Sequence, residues 1–194
     1  MKTRYLNLSL DLTIPTFLKT IACESLIALS GSLFLALLSQ VSFPIPFNPV
    51  PVTLQTFGIY CLIITLGQKR SANAILAYLF EASCGFPVLK GGLSNPLWFV
   101  GPTAGYLVGF FLCAVIAGWV YERSKKESFI HTILCLCLGE MIILGSGSLF
   151  LSLFFGLKNV FAMAIQPFLF GATLKILAAA SYGASLYRFK SLFK

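Results

Sequence analysis

The sequence has one histidine, six acidic residues against fourteen lysines and arginines, and little polar chain between its apolar runs. Each scarcity removes a class of function. With His131 alone, no histidine cluster is available to hold a metal, and no Ser/His/Asp arrangement or zinc helix motif is readable. No glycine-rich loop ends in Gly-Lys-Ser or Gly-Lys-Thr, and the cytoplasmic connection from Glu122 to Ser128 is too short to house a nucleotide-binding fold. Work driven by ATP therefore needs another subunit, and no catalytic role or cofactor is expected of this chain. The cysteines, Cys23, Cys61, Cys84, Cys113, Cys135 and Cys137, lie within or at the ends of apolar runs without paired loop spacing. They read as small buried hydrophobes rather than as disulfides or metal ligands.

What is present is apolar side chain. At 58% hydrophobic and 10% charged residues, the chain is far greasier than a soluble domain, where about a quarter of residues are charged. An all-α integral membrane protein is expected, with six transmembrane helices at about Thr20–Val41, Val52–Gly67, Ser71–Phe86, Thr103–Tyr121, Phe129–Gly156 and Phe161–Tyr187. The second and third are short and adjoin irregular stretches. The whole chain, 1–194, reads as a single membrane domain: a cytoplasmic N-terminal segment 1–19, a six-helix body 20–187 and a basic cytoplasmic tail 188–194. The first span resembles the hydrophobic part of a signal peptide, but Ser39 to Phe43 offers no small-residue cleavage site, so it is expected to be retained.

A net charge of +8 would suit a nucleic-acid partner, but its placement argues for a lipid bilayer and no nucleic acid. Outside the spans, eleven lysines and arginines fall on one side and only Lys90 and Lys158 on the other. By the positive-inside rule both termini are cytoplasmic. Two outward stretches, Phe43 to Phe57 and Gly85 to Tyr106, then hold seven of the nine prolines. Pro44, Pro46, Pro49 and Pro51 remove amide donors at near-alternate positions and force an extended, unpaired backbone. Such backbone survives at a membrane only where protein or water satisfies it, the setting in which it lines a cavity.

Four charges fall inside spans: Glu24, Glu81, Glu140 and Lys175. Each costs about 2.5 to 3.5 kcal/mol at the bilayer centre, so each needs a partner or a function. Glu24 is close enough to the cytoplasmic end to reach headgroups or Lys19, and Glu81 lies near the outer end of its span. Lys175 and Glu140 both sit roughly 17 Å in from the cytoplasmic ends of their helices. The matching depth admits a salt bridge, a cavity-facing ammonium that meets a polar or anionic part of a ligand, or both. Gly145, Gly147 and Pro167 allow bends that shape such a cavity. On the first span Ala28, Ser32 and Ala36 form a small-residue stripe, suited to packing within the chain or to docking against another membrane subunit.

Several runs resemble the BioY family, the biotin-binding S components of energy-coupling factor (ECF) transporters. They are PVPVTLQTFG at Pro49–Gly58, Tyr78 and Leu79 followed by GFPV at Gly85–Val88, the pair Gly91 and Gly92, GPTAGYLVGF at Gly101–Phe110, and PFLFGATLK at Pro167–Lys175. The resemblance spans roughly residues 20–187. It implies an S-component fold, with a biotin pocket near the outer face under the loops joining helices one and two and helices three and four. It also implies partners: a transmembrane T component and two ATPase subunits. Together with the chemistry of the loops, it nominates Lys175 first for the ligand, then Gly91, Gly92, Asn95, Thr103, Tyr106, Gln55 and Tyr78. Gln55 could instead tie down the proline-rich backbone, and Tyr106 could be an interfacial anchor. The family's sixth helix usually reads Gly-Asp-x-x-Lys; here Gly171 and Lys175 match while Ala172 replaces the aspartate. Glu140 is the candidate to restore the missing carboxylate. Two other readings stand beside capture of biotin for an ECF module: a solitary biotin facilitator, and a membrane-embedded enzyme or structural subunit.

Overall fold

A computed structural model describes residues 16–123 and 128–192. The helices are α1 (Thr16–Gln40), α2 (Gln55–Leu66), α3 (Gln68–Ser83), α4 (Ala104–Arg123), α5 (Phe129–Phe155), the single turn α6 (Leu157–Val160) and α7 (Gln166–Leu192). Four stretches are long and apolar enough to cross a membrane: Phe17–Gln40, Ala104–Arg123, Phe129–Phe155 and Phe161–Leu192. α2 and α3 fall short, in line with their expected places against the loops. The expected segment 1–19 lies almost wholly outside the described residues. α7 stays helical to Leu192, through most of the stretch expected as the basic tail.

The helices form a ring in which α1 packs on α3, α3 on α4, α4 on α5, α5 on α7 and α7 on α2. α2 also touches α1, α3 and α4, which makes it the centre of the molecule. Its sequence explains this position: QTFGIYCLIITL has no polar face, and a helix apolar all round is stable only when surrounded. Gln55, Thr56 and residues 58–64 are all buried. The outer surfaces of the long helices instead expose Leu26, Leu29, Leu33 and Leu37 from α1, Met141 and Leu149 from α5, and Phe170 and Leu174 from α7, as a lipid solvent allows.

Two features tighten the helix packing. α2 and α3 are joined by Gly67 alone, whose φ of 80° an L side chain would resist. With no side chain there to cap α3, Glu122 from α4 accepts the Gln68 amide at 2.8 Å. This cap comes from a distant part of the chain, and it starts α3 three residues before the expected Ser71. The α4–α5 seam closes on Gly105 and Gly109: a Cβ on Gly105 would lie 2.6 Å from Phe150 Cβ, and one on Gly109 would overlap Ser146 Oγ.

The small-residue stripe on α1 packs within the chain. Ser32 and Ala36 are buried, and Ser32 Oγ donates to Glu81 on α3 at 2.5 Å. Ala28 is half-buried. Glu24 pairs with Arg70 on α3 rather than with Lys19: the guanidinium grips it through two nitrogens, at 2.6 and 3.0 Å. Of the cysteines, Cys23 and Cys84 are exposed, which corrects the expectation of uniform burial.

Candidate ligand cavity under the outer loops

The proline-rich stretch after α1 is not wholly unpaired. Ser42–Phe43 (β1) and Val52–Thr53 (β2) form a two-residue antiparallel pair, Ser42 opposite Thr53 and Phe43 opposite Val52. The pair sits just outside Pro44 and Pro51, where residues still have amide hydrogens to share. Within the loop, Asn48 Oδ1 accepts the Val50 amide at 2.9 Å while its Nδ2 donates to the Met163 carbonyl at 2.7 Å.

That second bond has a cause in sequence. Residue 167 is proline, so it has no amide to give the carbonyl four residues back, which is Met163. Just before it, Phe161–Ile165 is wound as a π-helix, with the Gln166 amide reaching back to Phe161. The Met163 carbonyl left over is taken by Asn48, and the Ala164 carbonyl accepts Tyr106 Oη at 3.1 Å. The backbone just before the proline thus anchors both the first outer loop and α4.

The second outer loop, between α3 and α4, is held to its surroundings by side chains. Ser39 Oγ lies 2.8 Å from the Val88 carbonyl, Ser94 Oγ donates to Gly85 O at 2.6 Å and Trp98 Nε1 to Ser83 Oγ at 2.9 Å. Lys90 Nζ donates to the Pro49 carbonyl at 3.2 Å, joining the two outer loops to each other. Half burial pushes the Lys90 ammonium below its ordinary pKa.

Beneath these loops lies a cavity of about 130 Å³, walled by the loops, α2, α3, α4, α5 and α7. Seven of the nine nominated residues line it: Lys175, Glu140, Asn95, Thr103, Tyr106, Gln55 and Tyr78. Gly91 and Gly92 do not. They are exposed, with φ of 63° and 74°, and they shape the turn that presents Lys90. Sequence reasoning missed Lys90, Thr56, Trp98 and Phe168, which also line the wall.

The polar groups of the cavity are prepaid by protein contacts. Lys175 is buried; its Nζ donates to Thr56 Oγ1 at 2.6 Å and Thr53 O at 3.2 Å. Those two bonds leave one ammonium hydrogen unassigned. Glu140 accepts the hydroxyl of Tyr60, a fully buried residue of α2. No Glu140–Lys175 salt bridge forms among the described residues, although both side chains face the same cavity. Gln55 does not tie down the proline run. Its Nε2 donates to Tyr78 Oη at 2.7 Å, and Tyr78 in turn donates to Val88 O at 3.0 Å, bracing α2 against α3 and the second loop. Tyr106 is no interfacial anchor but a buried wall residue, its ring 5.8 Å from that of Phe168. Asn95 is exposed, and its Oδ1 accepts the Leu97 amide at 3.1 Å just before the turn at Trp98–Val100. The result is an apolar cleft with a cation and a carboxylate at its floor and a second cation in its lid, the form of a small-molecule site.

The model of the BioY family matches residues 12–191, nearly the whole chain. The chain belongs to the BioY family. Among curated relatives, the biotin transporter BioY2 of Lactococcus lactis subsp. cremoris is 31% identical over 166 residues, covering 84% of this chain and 89% of the relative. The biotin transporter BioY of Rhizobium etli is 31% identical over 169 residues, covering 83% and 90%. That of Thermotoga maritima is 33% identical over 137 residues, covering 70% and 80%. A crystal structure of the S-component for biotin from an ECF-type ABC transporter superposes with a TM-score of 0.73 at 25% identity, covering 88% of this chain and 93% of its own. The chain is thus a membrane protein with an S-component fold, in a family of transporters rather than enzymes.

Proposed function

We propose that this chain takes up biotin across the cytoplasmic membrane as the substrate-capture subunit of an ECF-type ABC transporter, binding the vitamin in the cavity under its outer loops. The observation that carries this reading is the cavity itself, where Lys175 and Glu140 meet under the proline-rich lid without neutralising each other directly. Biotin offers what the wall lacks. Its ureido group has an acceptor for the free donor of Lys175 and N–H donors for Glu140, and its thiophane ring and valeryl chain suit Tyr106, Leu107, Phe110 and Phe168. Glu140 here takes the place of the aspartate that Ala172 replaces. All six helices cross or enter the bilayer as one membrane domain, with both termini cytoplasmic, and a T component with two ATPase subunits supplies the work. The curated relatives and the solved S-component support the choice of ligand and module.

The test is retention of biotin by the purified chain, followed by uptake assays in a biotin-auxotrophic host. Protein purified from biotin-fed cells should carry close to one biotin per chain, and uptake should require co-expression of the T component and ATPases. Uptake that persists without them would select the solitary facilitator, and protein empty of biotin in every preparation would remove both transport readings.

A further inference from the structure

The charged side chains that face the cavity are Lys175, Glu140 and Lys90. Their formal charges sum to +1, so the site as built is one negative charge short. The deficit lies in the lid. Lys175 has Thr53 and Thr56 as hydrogen-bond partners and Glu140 across the cavity, whereas the ammonium of Lys90 has the Pro49 carbonyl. No carboxylate lies within salt-bridge distance of Lys90 among the described residues. An ammonium has three donors, and one neutral carbonyl leaves two of them for a ligand. Partial desolvation already disfavours its charge, the condition that an incoming anion relieves.

We propose that Lys90 is the residue that makes the site select a monocarboxylate: its ammonium clamps the carboxylate end of the ligand at the lid while the opposite, hydrogen-bonding end rests on Glu140 and Lys175. The same ammonium holds the first outer loop through Pro49, so a carboxylate bound there ties both loops down over the cavity. The ligand's charge is thereby read at the lid and its polar head at the floor. The inference rests on the biotin reading above but assigns an orientation and a discriminating residue that the reading does not contain.

Biotin and its methyl ester differ only at the carboxylate, so their affinities for the purified full-length chain isolate this contact. The wild-type chain should bind biotin about 10 to 100 times more tightly than the ester, the range expected for a charge-assisted hydrogen bond in a partly buried site. Lys90→Gln should weaken biotin by that factor while holding the ester within about twofold, and Lys90→Arg should restore most of the preference. Binding of the ester by the Gln variant also reports that the variant is folded. A Gln variant that keeps the wild-type preference, or one that loses both ligands equally as a mere loop brace would, overturns the assignment. A wild-type chain that binds neither compound overturns the biotin reading instead.

Discussion

The loop-bearing half of this molecule, expected to face outward, and the opposite, inner half treat polar groups in opposite ways. In the inner half they close on each other: Arg70 on Glu24, and Glu122 on the start of α3. In the outer half the helices and loops enclose a void, and the polar groups that face it keep donors or acceptors in reserve. Lys175 and Glu140 line one cavity yet bond to Thr56 and Tyr60 instead of to each other. A buried charge pair left apart is costly unless something else comes between. The difference between the halves coincides with the proposed ligand site.

Substitutions can break this contrast from either side. The largest expected effect is at the packed α4–α5 seam beside the cavity: Gly109→Leu forces the seam apart and should abolish recovery of monodisperse protein in detergent, since overpacking here meets the Ile143 backbone as well as Ser146. In the outer half, Lys175→Ala should lower biotin affinity by about 100-fold or more, measured by titration calorimetry, because it removes a buried cation together with its two fixed hydrogen bonds. Glu140→Gln keeps the shape and removes the charge; a loss of about tenfold is expected, and unchanged affinity would refute its role as the replacement carboxylate. Asn48→Ala frees the first outer loop from Met163 and should speed biotin release about threefold in a stopped-flow chase with little change in association rate. At the small end, Arg70→Gln cuts an exposed ion pair far from the cavity and should leave biotin affinity unchanged.

The cavity was legible in the sequence because its markers are anomalies there. Prolines have no place in a spanning helix, and a lysine or glutamate deep in an apolar run needs a reason, so Lys175, Glu140 and the two outer loops could be nominated without coordinates. Thr56 and Tyr60 were not, because a threonine or tyrosine in an apolar helix is unremarkable until its neighbour across the fold is known. Lys90 was hidden for a different reason: a loop lysine counts toward topology, and nothing local says that it turns inward. Gly91 and Gly92 drew attention as a pair, yet their positive φ values make them the bend that aims Lys90 rather than wall residues. The start of α3 escaped because its cap comes from Glu122, far along the chain. The π-helical turn before Pro167 follows from a missing amide, but the identity of the groups that satisfy the freed carbonyls is a property of the packing.

The two tryptophans fall one in each half, Trp98 on the cavity wall and Trp119 at the inner end of α4 beneath the Arg123 guanidinium. Fluorescence of single-tryptophan proteins during a biotin titration therefore asks directly where the ligand goes. With Trp119→Phe, the remaining Trp98 should give a saturable change in emission that Lys175→Ala suppresses, while with Trp98→Phe the remaining Trp119 should stay silent. Saturable binding by calorimetry with a silent Trp98, or with the response confined to Trp119, would contradict a ligand held under the outer loops.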